Sequence, residues 1–172
     1  DVDIQDEDAV NVVGANIVVF AKWEWAGNVS FAKQTGYTFV YDAANGYWAS
    51  NNQGKGKTSA VMEFVATAGV VHVSFEYMCS SESSYDKLTI YYGPNAGTNV
   101  EMSGLSNSWT SLETTLDFSK NDTNQKVRFS YGKDGSGDKG EDTAYIRNLR
   151  INGVSVVAQN SLFENAGTYK NG

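Results

Sequence analysis

The sequence predicts an all-β protein, an antiparallel β-sandwich of jelly-roll type, and three observations lead there. Apolar and polar residues alternate in several separate runs, as a strand with one buried face requires. Turn-rich segments divide those runs: "ANG", "NNQGKGK", "GPNAGTN", "SGLSNS" and "KDGSGDKGED", spaced as sandwiches space their loops. Helical spacing is nowhere sustained, and 17 glycines against one proline suit many tight loops.

Taken in order, the chain opens with "DVDIQDEDAV", whose Asp1, Asp3, Asp6, Glu7 and Asp8 repel one another and leave little to bury. Residues 1–15 are therefore expected to be an acidic lead or linker, and residues 16–158 the sandwich. In "FAKWEWAGNVSF", Trp23 and Trp25 are two apart, so on a strand both project from one face. "VVHVSFEYM" sets Val71, Val73, Phe75 and Tyr77 on one face and His72, Ser74 and Glu76 on the other. "KLTIYY" repeats the pattern with Leu88, Ile90 and Tyr92, "SLETTLDF" with Leu112, Thr114, Leu116 and Phe118, and "KVRFSY" with Val127, Phe129 and Tyr131. "TAYIRNLRINGVSVV" predicts a hairpin turned at Asn152-Gly153. Residues 159–172 are a further edge strand or the start of a linker.

Length and charge bound the function. A chain of 172 residues makes one ordinary domain, able to bury roughly 70% of the surface its unfolded form exposes. The net charge of −7 repels phosphate backbones and anionic headgroups, which argues against nucleic acid and membrane partners. No stretch approaches the roughly 18 apolar residues of a membrane helix. The one cysteine, Cys79, closes an apolar run and is expected to be a buried small hydrophobe.

"SSESSYD" raises the question of an acidic active site, through Glu82 and Asp86. Glycoside hydrolysis needs two carboxylates held roughly 5–10 Å apart across a cleft, and no strand here alternates Glu and Asp. Glu63 and Glu76 stand alone on their runs and read as solvated positions. His72, the only histidine, has no "GxSxG" or other nucleophile motif beside it. A pair of carboxylates inside a bend can instead accept backbone N–H bonds and pin a crossover, or pair with Lys133 or Arg128. The bend reads as a brace, and the chain as a non-enzyme.

Four segments, "SNNQGKGKTSAVMEF", "GVVHVSFEYMCSSESSYDKLTIYYG", "MSGLSNSWTSLETTLDF" and "VRFSYGKDGSGDKGEDTAYIRNLRI", occur in an order that resembles a bacterial extracellular jelly-roll module. It is related to the MAM and cleaved-adhesin domains and similar to the starch-adherence modules of gut bacterial surface proteins. The resemblance spans about residues 47 to 151. It implies a scaffold role for Ser80, Ser81, Glu82, Tyr85 and Asp86, for Ser103, Gly104 and Trp109, and for Tyr131, Lys133 and Asp134. It also implies a structural calcium, for which Asp134, Asp138, Glu141 and Asp142 are the candidate ligands, with a solvated acidic loop as the alternative. Where the family often has Tyr-Ile-Asp-Asn, this chain has Tyr145, Ile146, Arg147 and Asn148, so one candidate ligand is replaced by a positive charge.

A ligand is then expected where the scaffold makes no demand. Four tryptophans and ten tyrosines are available, and indole faces stack on the C–H faces of sugars while nearby amides take up hydroxyls. The preferred site is Trp48 and Tyr47, flanked by Asn51, Asn52, Gln53 and Lys55, with Tyr37 and Tyr41 extending the surface. Trp23 and Trp25 form a second candidate. Burial in the core is the competing reading for all three tryptophans. The expected function is a non-catalytic, extracellular carbohydrate-binding module within a larger multidomain surface protein, holding a neutral polysaccharide. The resemblance makes starch or another glucan the first guess, and an adhesin or protein-interaction domain the alternative.

Overall fold

The computed structural model describes residues 29–66, 69–94, 97–117 and 125–157. Trp23, Trp25, Phe118, the acidic lead and residues 159–172 lie outside the described residues. Among the described residues the strands follow as β1 (Val29–Phe31), β2 (Phe39–Asp42), β3 (Tyr47–Ser50), β4 (Ser59–Ala66), β5 (Val70–Ser80), β6 (Lys87–Pro94), β7 (Thr98–Met102), β8 (Thr110–Asp117), β9 (Gln125–Gly132), β10 (Thr143–Ile151) and β11 (Val154–Ser155). They form two antiparallel sheets, one ordered β1-β4-β9-β6-β7 and the other β2-β3-β10-β5-β8, with β11 paired to β10. From β3 onward the chain repeatedly crosses between the sheets, so strands adjacent in sequence are seldom adjacent in space. This is a β-sandwich of jelly-roll type.

The alternating runs become β5, β6, β8 and β9, and each points its apolar set inward. In β5, Val71, Val73, Phe75, Tyr77 and Cys79 are buried, while His72 is exposed and Ser74 and Glu76 are half-buried on the outer face. The predicted hairpin is β10–β11, with Ile151 opposite Val154 and positive φ at both Asn152 (46°) and Gly153 (81°). Positive φ at both central residues is what a two-residue turn matched to strand twist requires. The period of β4 is hidden in the sequence because Val61 and Val65 on its outer side are as apolar as Ala60, Met62 and Phe64 within.

Phe129 of β9 is the hub of the core. Its ring meets Phe75 at 4.9 Å edge-on, Phe39 at 6.3 Å and Phe64 at 6.4 Å, joining both sheets. Such aromatic pairs contribute about 0.5–1.5 kcal/mol each beyond their burial. With this core filled, the outer face of the β2-β3-β10-β5-β8 sheet is free to carry other chemistry.

Candidate functional site

The acidic bend between β5 and β6 is tied down by its backbone. Asp86 is 1% exposed, and its Oδ1 accepts the Asp134 N–H at 2.8 Å. Ser81 Oγ donates to the Asp86 carbonyl at 2.7 Å and accepts from Gly104 N–H at 3.3 Å, and Ser103 Oγ accepts from Ser84 N–H at 3.0 Å. The β5–β6 and β7–β8 connections are thus held together by side chains that the sequence reading places in a scaffold. Burial raises the Asp86 carboxyl above the usual carboxylate range, against the pull of the Asp134 N–H and of Lys133.

The loop before β10 gathers Asp86, Asp138 and Asp142, whose oxygens lie within 4.8 Å of one another. Of the four predicted calcium ligands, only Asp138 and Asp142 belong to this group. Asp134 turns its Oδ1 to the Ser136 N–H at 2.8 Å, and Glu141 Oε2 accepts the Tyr145 hydroxyl at 2.8 Å. The Lys133 side chain is 1% exposed and places Nζ on Asp138 Oδ1 at 2.7 Å and on Asp142 Oδ2. Tyr131 Oη donates to Asp142 Oδ1 at 3.0 Å, and Gly54 N–H donates to Oδ2 at 2.6 Å. Burial alone lowers the Lys133 pKa, but the bonds to Asp138 and Asp142 outweigh it and carry the value upward. The ammonium stands among the carboxylates that an ion would need, so this donor set differs from the calcium set expected from the sequence.

The preferred ligand residues divide. Trp48 is 2% exposed, faces the core beside Tyr41 (5.3 Å) and Phe31 (6.4 Å), and donates its indole N–H to the Val156 carbonyl at 3.2 Å. It offers no stacking face to solvent, because β3 turns its even positions inward and Trp48 is one of them. Tyr37 and Tyr41 are half-buried and pack against the same core. Asn52 is buried, with Nδ2 on Thr58 Oγ1 and the Tyr131 carbonyl. Asn51 Oδ1 accepts from Thr38 N–H at 2.8 Å, so these two amides brace the β3–β4 turn. Lys55 is exposed in that turn. Gln53 donates to Thr143 Oγ1 at 2.7 Å, which puts it at the rim of the outer face.

Tyr47 points outward, and there the tertiary structure assembles a site that the sequence disperses. The Tyr47 ring meets Tyr145 edge-on at 5.0 Å, and Tyr145 meets Trp109 at 6.5 Å. Tyr47 comes from β3, Tyr145 from β10 and Trp109 from the turn into β8, so the row crosses the sheet. Tyr145 at its centre is 9% exposed, while Tyr47 and Trp109 are half-buried at the flanks. Burial, and after it the bond to Glu141, raises the Tyr145 hydroxyl pKa well above the usual phenol value and keeps it a donor. Arg147, two residues along β10, lays its guanidinium over the Trp109 ring at 4.2 Å and donates Nε–H to Glu76 Oε2 at 2.6 Å. The Arg147 bond holds the Glu76 carboxyl below its ordinary range. Arg147, at the position where the sequence resemblance leads one to expect an aspartate, is thus a cation set over the indole.

A register shift in β10 between Arg147 and Arg150 adds to this site. Asn148, with φ of 50°, turns its Nδ2 onto Glu76 Oε2 at 2.7 Å. Irregularities of this kind re-aim side chains at sites on a sheet. Sequence reasoning assigns Trp109 to the scaffold and gives Tyr145 no role at the site; the one signal for this part of β10 is Arg147, which stands where the sequence resemblance leads one to expect an aspartate.

No protein-family model matches the chain, and no curated protein sequence does. Among solved structures, it is similar to part of the secreted serine protease VesC from Vibrio cholerae, at 21% identity and TM-score 0.43, over 63% of this chain and 21% of that one. It is similar to a carbohydrate-binding module of family 29 at 18% identity and TM-score 0.36, over 68% of this chain and 73% of that one. A further likeness is to the CBM22-2 xylan-binding domain from Paenibacillus barcinonensis Xyn10C, at 11% identity and TM-score 0.35, over 73% and 91%. The chain spans about a fifth of the length of the protease it matches.

Proposed function

We propose that this chain is a non-catalytic glycan-binding domain that holds a neutral polysaccharide on the outer face of the β2-β3-β10-β5-β8 sheet. The observation that carries the reading is the row Tyr47, Tyr145, Trp109, with Arg147 and Asn148 fixed beside it by Glu76. Tyr47 and Trp109, half-buried and canted to Tyr145 by 71° and 65°, supply apolar area for the C–H faces of sugar rings, and fixed polar groups beside them take up hydroxyls. Among the described residues of the aromatic row, Glu76 is bonded to Arg147 and Asn148 and Glu141 to the Tyr145 hydroxyl, an arrangement that suits holding a ligand. Starch or another glucan is the first ligand to try, on the strength of the sequence resemblance to starch-adherence modules. The same resemblance supports a place outside the cell or on its surface, within a larger multidomain protein related to the MAM and cleaved-adhesin type. Trp23 and Trp25 remain a second candidate platform.

Tryptophan fluorescence during titration with soluble maltooligosaccharides tests the reading, with retention on insoluble starch, cellulose, xylan and mannan as a second measure. We expect a change in emission and retention on at least one polymer, both lost in Trp109→Ala. Absence of any response across the panel would count for the rival, an adhesin that binds a protein partner. Release of reducing sugar by the purified domain would revive an enzyme.

A further inference from the structure

Along β5, one pleat beyond Glu76, the same outer face sinks into an open cleft of ≈ 330 Å³ lined by His72, Ser74, Glu113, Thr115 and Gly153. That volume is at the small end of ligand clefts, which run about 300–1,000 Å³. The register explains its position. Ser74 stands opposite Glu113 and His72 opposite Thr115 on β8, while on the other side Ser74 pairs with Arg150 after the shift in β10. The β10–β11 turn is anchored there by reciprocal bonds, His72 N–H to Asn152 Oδ1 and Asn152 N–H to the His72 carbonyl, both at 2.8 Å. Gly153 at the turn thus forms one wall and Glu113 the other.

We infer that this polar cleft is a second sugar subsite, so that the ligand is an extended oligosaccharide lying along β5 from Trp109 to His72. The inference rests on the glycan-binding reading and goes beyond it in fixing ligand length, direction and charge. Four residues separate Glu76 from His72, which at about 3.4 Å per residue is roughly 14 Å. A lone pyranose ring covers well under half that distance, and a linked chain covers it. The two ends differ in chemistry. Trp109, Tyr145 and Tyr47 offer apolar faces, whereas the cleft offers hydroxyls at Ser74 and Thr115, a carboxylate at Glu113 and the imidazole of His72. His72 Nδ1 and Thr115 Oγ1 are already 3.0 Å apart at an exposed position, where sugar hydroxyls can exchange into the bond. Glu76, Glu113 and Glu141 outnumber Arg147 and Arg150 along the path, three carboxylates to two guanidiniums, and with a whole-chain charge of −7 this favours a neutral chain over a polyuronate.

The test is a calorimetric titration of the intact chain with maltooligosaccharides and cellooligosaccharides from the disaccharide to the heptasaccharide, with oligogalacturonates as the acidic arm. Two variants change exposed or half-exposed cleft positions, Glu113→Gln and the pair Ser74→Ala with Thr115→Val, and circular dichroism confirms their fold. The expected result is affinity that rises beyond the disaccharide and then levels off. Each hydrogen bond removed by a cleft variant should weaken long oligosaccharides roughly three- to tenfold while leaving disaccharide binding unchanged. Oligogalacturonates should bind at least tenfold more weakly than neutral chains. Equal affinity at every length, or cleft variants that bind long chains as the parent does, overturns the second subsite and leaves the aromatic row standing. Equal or tighter binding of oligogalacturonates overturns the neutral-ligand assignment. No heat with any saccharide overturns the glycan-binding reading itself.

Discussion

The guanidinium of Arg147 lies 4.2 Å from the centre of the Trp109 ring, and Glu76 Oε2 holds its Nε at 2.6 Å. Cation–π contacts at exposed sites contribute about 0.5–1 kcal/mol, so Arg147→Ala should change global stability by no more than about 1 kcal/mol. Its effect on function should be larger, because the indole loses the group that orients it. Denaturant titration paired with saccharide titration measures both, and unchanged affinity in a folded Arg147→Ala protein would remove Trp109 from the site.

Two carboxyl groups should titrate in opposite directions. Glu76 is held low by Arg147, so the stability it contributes is present above its unfolded pKa of about 4.3 and is lost as pH falls through the lower folded value. Asp86 is held high by burial, so native structure favours its neutral form. The stability linked to it is full below the unfolded pKa of about 3.9 and declines as pH rises through the folded value. Carboxyl-carbon NMR across the acid range should show Glu76 below and Asp86 above ordinary values, with Glu76 moving up in Arg147→Ala.

Lys133 neutralises a buried acidic group, and removing one partner of such a cluster leaves uncompensated charge. Lys133→Ala should cost about 3–5 kcal/mol, lowering Tm on the order of 10 °C for a domain of this size. With the ammonium in place, a chelator should leave the melting curve of the parent protein unchanged. A downward shift with chelator, reversed by calcium, would instead support the divalent ion expected from the sequence resemblance.

Trp48 and Trp109 should separate stability from binding. Trp48→Ala opens a cavity in the core and loses the indole bond to the Val156 carbonyl, at a cost of about 3–5 kcal/mol. Trp109→Ala should cost far less stability and abolish the emission change with saccharide. If Trp48→Ala folds and fails to bind while Trp109→Ala binds normally, the outer-face site is wrong.

The runs around Val71, Leu88, Leu116 and Phe129 were legible because each strand buries one face and exposes the other, which writes a period of two into the residues. The Asn152-Gly153 turn was legible because positive φ at two successive positions restricts what can stand there. β4 was harder to see, since valines on its outer side blur the period. The site was only partly legible. Tyr47 and Gln53 reach the outer face or its rim, but Trp48 lies one position along from Tyr47 and so falls on the opposite side of the same strand.

Period-two patterning and turn residues are properties of the chain itself, and they determined the sandwich and the β10–β11 hairpin. Which face of each strand meets solvent, and which distant residues share it, depends on sheet order. Tyr47, Trp109 and Tyr145 lie on three segments far apart in the chain, and only the pairing of β3 and β5 with β10, and of β8 with β5, brings them side by side. Local sequence records a strand's own alternation but carries no record of its neighbours, so the aromatic row and the polar cleft beside it arise only when the sheet closes.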